Sequence, residues 1–71
     1  MKTYTYTWRN KFLTQEAHTM DDMIAALRAA ADQLQAMKDA GVTLSDDGRM
    51  VDDYAELTTT DRAVAKKYGF R

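Results

Sequence analysis

The chain has 71 residues and a mass of 8.1 kDa, with no cysteine and one histidine, His18. That is room for one domain (1–71), and it excludes disulfides, cysteine-based metal sites and a paired-histidine site. The net charge of −1 hides a segregation: +2 over residues 1–18, −6 over 39–61 and +4 over 62–71, where Arg62, Lys66, Lys67 and Arg71 meet no acid. Such asymmetry bears on partners and solubility rather than on fold.

A chain this short buries roughly 60% of the surface its unfolded form exposes, so its core is thin. Stability then has to come from close packing, an oligomer interface or a partner. The opening MKTYTYTWRNK has no apolar h-region, and no apolar run approaches the ~18 residues of a spanning helix. The expected location is the cytoplasm, the chain's own or that of a host cell, with no membrane contact.

Residues 3–8, TYTYTW, alternate strictly, placing Tyr4, Tyr6 and Trp8 on one face of a strand and Thr3, Thr5 and Thr7 on the other. Asn10 is the expected turn residue, leading to a second strand over 11–17 and hence a hairpin. Thr19 then caps a helix with Asp21 and Asp22 in its first turn, where carboxylates oppose the helix dipole. TMDD is a capping box with Asp in place of Glu. Apolar residues recur at Met20, Met23, Ile24, Leu27, Ala30, Ala31, Leu34 and Met37, an i, i+3, i+4, i+7 stripe expected to pack on the sheet. Gly41 stops the helix, with Val42 folding back onto Met37. GVTL predicts a short strand with Val42 and Leu44 inward, and SDDG a turn. MVDDYAEL breaks alternation, so a fourth strand over 49–57 is an expectation the pattern leaves open. Thr60 or Asp61 caps a last helix, DRAVAKKYG, with Val64 and Tyr68 paired at i, i+4 and Gly69 closing it. The predicted fold class is α+β: a small antiparallel sheet, β-β-α-β-β-α, with one long amphipathic helix on one face.

The residues supply little chemistry. SDDGRMVDDYAE departs from the EF-hand pattern, since Asp46 and Asp47 are adjacent and the glycine comes too early. Ser45 is the one serine, and no base, nucleophile and orienting group can be assembled around it or around His18. Phosphate-binding glycine motifs are absent. No enzyme and no cofactor is expected. The Tyr4, Tyr6, Trp8 row, with Arg9 and Lys11 beside it, fits either a core or a single-stranded nucleic-acid stacking platform. The pI near 5.6 and the need of so small a chain for core aromatics favour the core. The methionines of the helix likewise read as gap-fillers of a core.

The run AHTMDDMIAALRAAADQLQAMKDAGVTL, followed by DG, DDYAELTT and VAKKYGF, resembles small proteins carried by bacteriophages, prophages and other mobile elements. The resemblance implies a protein that acts by binding host proteins, as inhibitors of CRISPR and other defence systems do. The order of strands, A-x-T-x-D-D helix and G-V-x-L is also similar to the start of HicB-type antitoxin domains, without their full three-stranded opening or DNA-binding tail. The expected function is a non-enzymatic protein-interaction module, with a homodimer as one expected state. Its candidate partner-binding residues are Asp46, Asp47, Asp52, Asp53 and Glu56 of the acidic stretch and Lys66 and Lys67 of the basic tail. The alternative is a single-stranded nucleic-acid binder using the aromatic strand.

Overall fold

The computed structural model describes residues 1–12, 19–45, 50–51 and 54–71. In chain order they form β1 (Tyr4–Arg9), α1 (Met20–Asp39), β2 (Thr43–Leu44), β3 (Met50–Val51), β4 (Tyr54–Thr59) and α2 (Arg62–Tyr68). This is the small antiparallel α+β architecture that the pattern predicts. The strands are distributed differently. β4 is the central strand: β1 pairs along its whole length on one side, and β2 and β3 share the other.

β1 and β4 join the two ends of the chain, with Tyr4 opposite Thr59, Tyr6 opposite Leu57 and Trp8 opposite Ala55. Large side chains on β1 therefore face small or medium ones on β4, and the pairs fill one layer without crowding. The expected fourth strand over 49–57 is two, β3 and β4, and β4 runs on to Thr59. Asn10 does make the turn after β1, its side-chain oxygen accepting the Phe12 N–H at 3.1 Å. The second strand expected over 11–17 falls mostly on residues 13–18, outside the described residues.

Both helix ends close as their residues dictate. The Thr19 hydroxyl accepts the Asp22 N–H at 3.0 Å. At the other end the Val42 N–H reaches the Met37 carbonyl and the Gly41 N–H the Lys38 carbonyl, each at 3.0 Å, with Gly41 at φ +92°. That is a Schellman closure, and it buries Val42 beside Met37. Asp61 is the cap of α2, accepting from the Ala63 and Val64 N–H groups. Gly69 ends α2 at φ +81°, and the Phe70 N–H returns to the Ala65 carbonyl at 2.8 Å. Phe70 is thereby turned inward and stacks on Tyr6 with ring centroids 5.1 Å apart. Arg71 then closes on β1, exchanging two 2.8 Å backbone hydrogen bonds with Thr5.

The core gathers Trp8, Ala30, Met37, Val42, Ala55, Leu57, Ala65 and Phe70. Both helices contribute to it, so both lie on the aromatic face of the sheet, and the threonine face is left open. Among the described residues every buried side-chain nitrogen or oxygen has a hydrogen-bond partner. Burial of the Trp8 indole N–H is made good by Gln33, whose side-chain oxygen accepts it at 2.7 Å.

Candidate functional site

α1 presents two apolar rows to different surroundings. At 100° per residue, Ala26, Ala30, Gln33 and Met37 line one side, and Met20, Ile24, Leu27, Ala31 and Leu34 line another about 100° away. The first row meets the sheet: Ala30 and Met37 are buried, Ala26 half-buried, and Gln33 holds Trp8. The second meets it only at Leu34, half-buried against the core, while Met20, Ile24, Leu27 and Ala31, with the neighbouring Met23, stand out. Met20 is 74% exposed, Met23 47%, Ile24 40% and Leu27 48%. The sequence expectation that the whole stripe packs on the sheet is corrected accordingly. Gln33, in the first row, accepts the Trp8 indole N–H and ties that side of the helix to the sheet.

The exposed row runs into a groove between α1 and the β2 edge of the sheet. Leu34, Lys38, Val42, Leu44 and Leu57 line this opening of about 340 Å³. Leu44, expected inward, stands 46% exposed at its rim because β2 is an edge strand two residues long. The row and the groove together form one apolar surface along a 20-residue helix. Exposed contiguous apolar surface of this kind marks interaction sites in soluble proteins.

The open sheet face has the opposite character. Thr5, Thr58 and Thr43 stand side by side across three strands. They border a shallow groove of about 670 Å³, lined by hydroxyl-bearing residues and Gly41 with no titratable side chain. Among the described residues no three histidine, cysteine or acidic side chains gather as a metal site, and no helix is long and apolar enough to cross a membrane.

The residues nominated from the charge pattern are dispersed. Asp46, Asp47, Asp52 and Asp53 lie outside the described residues. Glu56 is on β4, half-buried on the open sheet face, and accepts the Thr7 hydroxyl at 2.9 and 3.1 Å. Lys66 and Lys67 are exposed on α2, which packs on the other face, and the Lys67 ammonium lies 5.3 Å from the Tyr68 ring centre. Glu56 and the two lysines therefore sit on opposite layers. Trp8 is 3% exposed, and Tyr4 and Tyr6 are half-buried against the core, so the aromatic row is core and not a stacking platform. The sequence does carry a signal for the α1 surface: large and small apolar residues segregate to different sides of the stripe. No family model, no curated protein and no solved structure matches the chain.

Proposed function

We propose that this chain is a non-enzymatic protein-interaction module, acting in the cytoplasm and binding through the outer apolar row of α1. The observation that carries the reading is that Met20, Met23, Ile24 and Leu27 are 40–74% exposed on a chain with so few large apolar side chains to spare. A domain short of core residues gains stability when such a row is covered by protein. The hydroxyl-lined sheet groove, with no carboxylate, histidine or lysine among its lining residues to activate those hydroxyls, supports binding over catalysis. The likeness to small mobile-element proteins supports a setting in which a host protein, such as a component of a defence system, is the end target. Asp46, Asp47, Asp52, Asp53, Glu56, Lys66 and Lys67 remain proposed partner-binding residues that add charge selectivity.

A photo-crosslinking amino acid placed at Leu27 tests the reading in cells. It is expected to form protein adducts, whereas the same probe at the exposed Lys2 gives fewer. If the probe at Leu27 forms no protein adduct, the reading is lost.

A further inference from the structure

We infer that the occupant of this surface is a second copy of the chain, with the two α1 helices packed antiparallel about a two-fold axis. The inference rests on the interaction-module reading and names the partner for its site. Three observations favour a second copy over a different protein.

The first is self-complementarity. With Leu27 set opposite Ala31 of the second copy, Ile24 falls opposite Leu34 and Met20 opposite Lys38, so every member of the row meets another member or the end of the groove. Met20, the most exposed of them, then enters the groove of the other copy between Leu34 and Leu44. Each groove therefore faces the Met20 end of the other copy's helix, one at either end of the pair, and the two contacts are equivalent as an isologous interface requires.

The second is charge. Lys38, at the C-terminal end of the row, comes against the acidic first turn of the other helix beside Asp21. Arg28 and Asp32 share one flank, and an antiparallel pair brings each flank against itself, so Arg28 meets Asp32 twice. The antiparallel arrangement also opposes the two helix dipoles.

The third is area. Met20, Met23, Ile24, Leu27 and Leu44 together expose about 500 Å² per copy, so the pair covers about 1,000 Å², the lower limit for a specific interface. An interface at that limit belongs with weak, transient contacts, so a concentration-dependent equilibrium is expected.

Sedimentation of the purified chain between about 1 and 300 µM tests this, with self-association read as a rise toward twice the 8.1-kDa chain mass. Leu27→Glu is expected to hold the chain at monomer mass while far-UV circular dichroism and the melting curve stay unchanged. Because the chain has no cysteine, the double variant Leu27→Cys, Ala31→Cys is expected to form a covalent dimer on mild oxidation, and Leu27→Cys alone is not. A wild-type chain that stays monomeric throughout overturns the second-copy inference and leaves the interaction-module reading to its own crosslinking test. A dimer indifferent to Leu27→Glu overturns the placement on α1. Rapid crosslinking of Leu27→Cys alone overturns the antiparallel arrangement.

Discussion

The two rows of α1 differ in size as well as in surroundings. Toward the sheet the helix offers two alanines, a glutamine and one methionine; away from it, methionines, an isoleucine and leucines. By hydropathy alone the ranking is reversed, because the stronger apolar row is the one left outside. The difference teaches that a helix docks where shapes fit. The side that meets the sheet is the one that carries Gln33 for the Trp8 indole and Met37 for the core, with two alanines beside them. Most of the outer apolar row is left exposed, which is what the proposed interaction surface rests on.

The contrast can be broken most severely from the sheet side. Trp8→Ala removes the largest core group and leaves Gln33 unpaired, and is expected to destabilise by about 3–5 kcal/mol, enough to unfold most of a domain this small. Urea denaturation or loss of far-UV signal reads it. Met37→Ala, at 2% exposure, is expected to destabilise by about 2–5 kcal/mol in the same measurement. Gln33→Leu keeps the volume but strands the buried indole N–H, for an expected loss of about 1–3 kcal/mol. Thr19→Ala tests the helix end that carries the exposed row, and its lost cap is expected to lower the thermal midpoint by about 1 kcal/mol in equivalent stability. The smallest effect sharpens the comparison most. Leu27→Ala, measured at concentrations where the chain is monomeric, is expected within about 0.5 kcal/mol of wild type, although leucine is as apolar as any residue of the core. A loss as large as that of Met37→Ala would mean that the outer row is core after all.

Elements set by near neighbours are legible in the residues themselves. The T-x-T-x-T alternation assigns β1 its faces, and Thr19, Gly41 and Gly69 mark helix ends, because caps and left-handed turns are decided within four or five residues. Asn10 is legible as a turn for the same reason. Pairing is not. β1 is joined to β4 from the far end of the chain, and no local pattern distinguishes that partner from a sequence-adjacent one. β4 itself is obscured because its inward residues are Ala55, Leu57 and Thr59, with the buried Thr59 hydroxyl accepting the Asp61 N–H at 3.1 Å. A polar residue at a core position interrupts the apolar alternation that identifies a strand. Phe70 carries no local mark of burial, because it enters the core only through the reversal of the backbone at Gly69.

The candidate surface divides along the same line. Periodicity alone established that residues 20–37 form an amphipathic helix. Composition alone established that the chain lacks the residues for disulfides or cysteine metal sites. Which side of the helix meets the sheet was decided by tertiary packing, through the hydrogen bond of Trp8 to Gln33. Burial is a property of the space that two elements leave between them, and a sequence records each element separately.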